Sequence, residues 1–220
     1  MKKTIIMSFF AAVAAIGMNN NASAQEGFYI GAQATQQFSG MYNQDDVDNK
    51  NFDYKITPGQ TFGLSGGYNF NKHMGVAAEA IFSMEGQKYE LNKTTFRRKL
   101  NYIKVPVLFT YNTDASKKVM FTAKLGPQVG ILTSAKLNDA DGNTLIKDTK
   151  DSYETLSFGG MLGAGARVNL AKNLYLDAGL KLDASFINNE QTTYSEGNTE
   201  RAQTYNTNAG IEVGIKYFFN

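Results

Sequence analysis

From Thr207 to the end of the chain, one face of the sequence is built of Thr207, Ala209, Ile211, Val213, Ile215, Tyr217 and Phe219, and the other of Asn208, Gly210, Glu212, Gly214, Lys216 and Phe218. Side chains alternate across an extended chain, so this period of two predicts a strand with one oily face that carries no charge. A last strand of this length is read as the partner of the first, closing a barrel.

Seven earlier stretches repeat the pattern. The first sets Phe28, Ile30, Ala32 and Ala34 against Tyr29, Gly31, Gln33 and Thr35. The second is centred on Phe62–Phe70, the third on Val76–Met84, the fourth on Ile103–Tyr111 and the fifth on Val119–Ile131. Phe158–Leu170 and Leu174–Phe186 follow. Three connections are short, Asn71–His73, Asn112–Lys118 and Ala171–Asn173. The other four, Phe38–Gly59, Gly86–Lys99, Thr133–Thr155 and Ile187–Thr204, are long and polar and are expected to be loops. Alternating long and short links predict an all-β fold, an eight-stranded antiparallel up-and-down transmembrane β-barrel with short periplasmic turns and long outer loops. About 10 residues at roughly 3.3 Å each, tilted by about 40°, rise about 25 Å, the height of the apolar band of such barrels. Pro106 and Pro127 fall inside strands and predict bulges or ladder breaks, because a closed barrel has no free edge for them.

The first 24 residues have the parts of an export signal: Lys2 and Lys3, an apolar run from Ile5 to Ile16, then Ala22-Ser23-Ala24. This gives a signal peptide at 1–24 and a barrel domain at 25–220. Removing two of the 22 basic residues leaves basic and acidic residues balanced at 20, so no case for nucleic acid follows. There is no cysteine, which excludes disulfides, thiolate metal sites and a lipidated cysteine.

Alternation alone does not say which face meets lipid; an oily face can also line a soluble, ligand-carrying barrel. The polar face collects Glu79, Glu85, Asp177, Asp183 and Glu212 with Lys104, Lys124, Arg167, Lys181 and Lys216, five of each sign. A narrow interior needs such a balance, because an unpaired buried charge is costly. Aromatic residues gather near both ends of the oily face, as in the girdles of membrane barrels. The expected orientation therefore has lipid outside and a charge-paired lumen. Eight strands leave room for side chains but not for an aqueous channel.

Leu100-Asn101-Tyr102-Ile103-Lys104-Val105-Pro106-Val107-Leu108 and Lys124-Leu125-Gly126-Pro127-Gln128-Val129-Gly130 resemble the PorT-like outer membrane beta-barrel family. The resemblance implies an outer membrane barrel in a family of which one branch serves protein secretion and gliding. Members often carry an acidic residue where this chain has Lys104, a departure that bears on any inherited secretion role. The aromatic ending is similar to the signal read by barrel-assembly machinery, with Asn220 following Phe219.

Little chemistry is on offer. His73, the only histidine, lies in a periplasmic turn, so no Ser-His pair is expected at the outer leaflet and no enzyme is expected. Asp139-Ala140-Asp141-Gly142-Asn143 opens like a calcium loop but has Thr144 at the sixth place and Lys150 at the twelfth, so a turn is expected. Asp45, Asp46 and Asp48 read as a solvated acidic loop or a weak surface ion site. No metal or cofactor is expected. Lys93, Arg97, Arg98 and Lys99 cluster where lipopolysaccharide phosphates would lie and are read as a solvated loop or a lipopolysaccharide contact. The expected partners are outer membrane lipid and lipopolysaccharide, the barrel-assembly machinery during insertion, and a protein at the outer loops. The leading reading is a non-enzymatic structural or interaction barrel, with a protein-export component and a soluble carrier as alternatives.

Overall fold

The computed structural model describes residues 26–49, 52–113, 119–191 and 202–219. The expected signal peptide at 1–24 lies outside them. Strands β1 (Gly27–Asn43), β3 (Thr57–Asn69), β4 (Met74–Leu91), β5 (Thr94–Asn112), β6 (Val119–Asp139), β8 (Leu156–Ala171), β9 (Leu174–Ser185) and β10 (Thr204–Phe218) form the wall. Each pairs antiparallel with its neighbour, and β1 pairs with β10 from Tyr29↔Phe218 to Asn43↔Thr204, which closes the ring. Two short strands, β2 (Phe52–Lys55) and β7 (Thr144–Ile146), add to the outer ends of β4 and β6. A five-residue helix, α1 (Gln44–Asp48), follows β1, and its first turn is capped by the Asn43 side chain.

The oily face points out. Leu180 and Ile211 are 66% and 62% exposed, while Lys181 and Asp183 are 2% and 4% exposed. The aromatic residues of both girdles, from Phe28, Tyr68 and Phe121 at one end to Phe62, Phe158 and Phe186 at the other, are on the outside. A soluble carrier would have the reverse arrangement.

Both prolines sit where the ladder opens. The β4–β5 register skips from Ala78↔Val107 to Ile81↔Lys104, passing over Pro106, and the β5–β6 register skips from Pro106↔Gln128 to Phe109↔Leu125, passing over Pro127. A missing N–H on one side of the strand explains each gap. Gly126 lies in the second gap, where a Cβ would come within 1.9 Å of the Val107 carbonyl oxygen.

The outer segments depart from expectation. Phe38–Gly59, Gly86–Lys99 and Thr133–Thr155 are not simple loops, because strand pairing continues through much of them. β1 runs on to Asn43, and β4 and β5 pair out to Leu91↔Thr94. Their link is a two-residue turn in which Asn92 and Lys93 have φ of 50° and 65°, the mirror-image geometry that matches strand twist in hairpins. In β6 the partner shifts between Asn101↔Ser134 and Tyr102↔Leu132, so Thr133 is an inserted residue and the facing of the strand reverses beyond it.

Candidate functional site

Among the described residues, three ionic clusters and two apolar ones fill the lumen. In the first cluster Lys104 bridges Glu85 and Asp183, with the Asp183 contact at 2.6 Å. Ser83 donates to Glu85 at 2.6 Å and Asn208 donates to Asp183 at 3.0 Å, so both carboxylates have further donors. In the second, Lys124 joins Glu79 at 2.9 Å and Glu212 at 2.7 Å. In the third, the Arg167 guanidinium grips Asp177 with two bonds of 2.6 and 2.9 Å, and Lys216 adds a contact at 3.1 Å. Paired forks of this kind hold geometry as well as charge. A cavity of about 40 Å³ lined by Thr110, Lys124, Arg167, Asp177, Glu212 and Lys216 lies between the second and third clusters, about enough for a water molecule.

The expected pairing of five against five is not complete. Lys181 is buried, and among the described residues its amine has no carboxylate within 4 Å; it donates to Thr61 at 3.2 Å. Each remaining lysine serves two carboxylates, or shares one with Arg167, and this leaves Lys181 over.

Apolar residues that face inward close the barrel at both ends. Phe218 packs against Tyr29 and Tyr175 at ring separations of 5.0 and 5.2 Å, and Arg167 and Lys216 lie over the Phe218 and Tyr29 rings. Cations over aromatic faces gain attraction there. Toward the outer end Met41, Leu100, Tyr102, Leu132, Ala135 and Tyr153 form a second cluster. Tyr153 arrives from the β7–β8 connection, which bridges to Glu190 beyond β9. Sequence reading placed Tyr29, Tyr102 and Phe218 on the inner face but did not see that they meet; no residue of either cluster is a charged signal.

At the outer rim the four basic residues separate. Arg98 faces inward, bonded to Glu190 at 2.7 Å and lying 5.0 Å over the Tyr89 ring. Burial opposes its charge, but Tyr153 and Glu190 outweigh that and hold its pKa above the ordinary arginine value. Arg98 thus ties the outer end of β5 to Glu190 beyond β9 and stands apart from Arg97 and Lys99. Arg97 and Lys99, one residue to either side, lie on the opposite face, with Arg97 donating to the Pro58 carbonyl at 3.0 Å. Lys93 is exposed at the hairpin tip.

The remaining candidates have local structural partners. Asp139 accepts from the Asn143 N–H at 2.8 Å, as a turn-forming carboxylate does. Asp45 accepts from the Ala202 N–H at 2.8 Å, Asp46 from the Tyr54 hydroxyl at 2.9 Å, and Asp48 from Gln44 at 3.1 Å. His73 contacts the Asn112 carbonyl at 2.9 Å and stacks on Tyr111.

Comparison with known proteins agrees with this architecture. Neisserial surface protein A is 16% identical, with 91% of this chain and 100% of its own chain covered at a TM-score of 0.53. OprG from Pseudomonas aeruginosa is 12% identical, with the same coverage and a TM-score of 0.52. At such identities the likeness is one of fold. No curated protein sequence matches the chain. The family model described as outer membrane protein beta-barrel domain matches residues 14–181. The closed ring, its outward oily face and this match together show that the chain belongs to the outer membrane protein beta-barrel domain family and resides in the outer membrane.

Proposed function

We propose that this protein is a non-enzymatic barrel whose role in the envelope is carried by the surface it presents outside the membrane. The observation that supports this most is strand length. β4, β5 and β6 have 18, 19 and 21 residues, where about 10 suffice to cross the apolar band. The surplus, extended by β2 and β7, makes a five-stranded sheet in the order β2-β4-β5-β6-β7 beyond the hydrocarbon. A paired sheet is a stiffer platform for a partner than four free loops. The filled lumen favours the same reading over transport.

Replacing Gln87–Arg98 with an Asn-Gly turn tests it. The shortened barrel should keep its heat-modifiable gel mobility but lose surface cross-links to partners in whole cells. Retention of the full cross-link pattern would reject the reading, as would regular current steps from the intact protein in a planar bilayer.

A place in a protein-export assembly is the second reading, and it rests on the PorT-like resemblance of Leu100–Leu108 and Lys124–Gly130. In the barrel these stretches form wall and lumen, and Lys104 is taken up by the first ionic cluster. A pull-down of the intact protein that recovers secretion components would favour export. The strand that closes the ring, with Tyr217 and Phe219 facing out, is the segment proposed to meet the barrel-assembly machinery.

A further inference from the structure

Cations face one another across the outer surface of the extended sheet. Lys99 is the register partner of Lys136, and Lys88 is the register partner of Arg97 on the next outward row. Leu100 and Ala135 are buried beside the first pair, Gln87 and Tyr89 beside Lys88, so the four cations stand on the outward face. Like charges directly opposite on neighbouring strands destabilise a sheet. Among the described residues none of the four has a carboxylate within 4 Å, and the nearby acids Asp53 and Glu90 are paired with Lys55. Arg97, Lys99 and Lys136 line a recess of about 400 Å³ with Pro58, Met84, Asn101 and Glu85, whose carboxylate is neutralised by Lys104. The Arg97 Nε is buried and has no hydrogen-bond partner, while its Nη2 donates to the Pro58 carbonyl.

Height then selects the occupant. Going inward along the same face of β5, Lys99 is followed by Asn101 and then by the exposed apolar residues Ile103, Val105 and Val107. Four residues of tilted strand put Lys99 roughly 10 Å above Ile103. The polar layer of a leaflet is only about 5–8 Å thick, but lysine and arginine side chains reach down into it. The Lys99–Lys136 pair stands nearest that level and Lys88–Arg97 about 5 Å farther out, from where its long side chains reach down; together they match the phosphate of a lipid headgroup in charge, and the guanidinium matches it in shape.

We propose that Lys88, Arg97, Lys99 and Lys136 form a site for the phosphorylated headgroup of an outer-leaflet lipid, with the recess over Arg97, Lys99 and Lys136 seating one phosphate. The bound anion relieves the repulsion built into both pairs. Lys136 belongs to the site because the residue inserted at Thr133 turns it outward, and Arg98 does not.

The test uses the full-length barrel in phosphatidylcholine nanodiscs, alone, with added lipopolysaccharide, or with inorganic phosphate at the same phosphate concentration. Bound lipopolysaccharide and the thermal midpoint of the heat-modifiable band are measured for the wild type, for Lys99→Gln with Lys136→Gln, and for Lys72→Gln with Lys172→Gln in the opposite turns. Losing two cations at an anionic lipid surface should lower lipopolysaccharide retention about tenfold or more. The turn variant should match the wild type. Lipopolysaccharide should raise the wild-type midpoint far more than that of the Lys99/Lys136 variant, and without lipopolysaccharide that variant should be at least as stable as the wild type. Equal retention overturns the proposal. A variant that is less stable without lipopolysaccharide overturns the repulsion on which it stands, and equal protection by inorganic phosphate overturns the lipid as its source.

Discussion

Replacing Lys104 with Met should destabilise the barrel strongly, and the buried ion pairs it makes set the size of the loss. Lys104 is the shared cation of Glu85 and Asp183, and all three side chains are buried. Removing one member of a buried pair costs about 3–5 kcal/mol, because the charge left behind has lost both water and partner. The two carboxylates are not equally stranded. Glu85 keeps only the Ser83 hydroxyl, whereas Asp183 keeps the Asn208 amide. We therefore expect a loss of about 4 kcal/mol, the larger part of it from Glu85, which keeps only a hydroxyl donor. Adding Glu85→Gln and Asp183→Asn to Lys104→Met removes the stranded charges and should bring stability back to within about 1 kcal/mol of the wild type. The chain has no tryptophan, so urea unfolding in lipid vesicles would be followed by heat-modifiable mobility and circular dichroism. A single variant within about 1 kcal/mol of the wild type at pH 7, or a triple variant less stable than the single, would refute the reasoning.

Three further outcomes follow from particular residues. Lys181→Met should change stability by less than about 1 kcal/mol in the same assay, since Lys181 gives up one bond to Thr61 and no ion pair; a loss like that of Lys104→Met would show that it neutralises a carboxylate after all. Gly126→Ala should cost about 1–3 kcal/mol, because its methyl group would meet the Val107 carbonyl at the ladder gap; an unchanged urea midpoint would mean that the wall yields there. Lys93→Gly should stabilise the outer hairpin by about 0.5–1 kcal/mol, since Lys93 holds φ of 65° and glycine takes that geometry without a Cβ penalty, and slower amide exchange of the hairpin would register it.

The outer rim shows where sequence reading stops. The alternation of Tyr102 and Lys104, continued past Lys99, puts Arg98 inside and Arg97 outside, as in the structure. The polar composition of Gly86–Lys99 hides that phase, because outside the membrane both faces of a strand can be polar. Lys136 is a different case. In phase with Met120 and Gln128 it would point into the lumen, and only the extra residue at Thr133 turns it out. A bulge of this kind has no composition signal, because it is set by how two strands fit together.

The eight strands and their order were determined by the sequence itself, since a period of two gives each strand one oily and one polar face, and the balanced charges on the polar face with the aromatic girdles on the other turned the oily face toward lipid. Which charges meet was decided by the closed ring. Lys104 and Asp183 are 79 residues apart along the chain, and Lys124 and Glu212 are 88 apart. Pairing of that range depends on strand register and on side-chain reach across a narrow interior, and alternation along a single strand records neither.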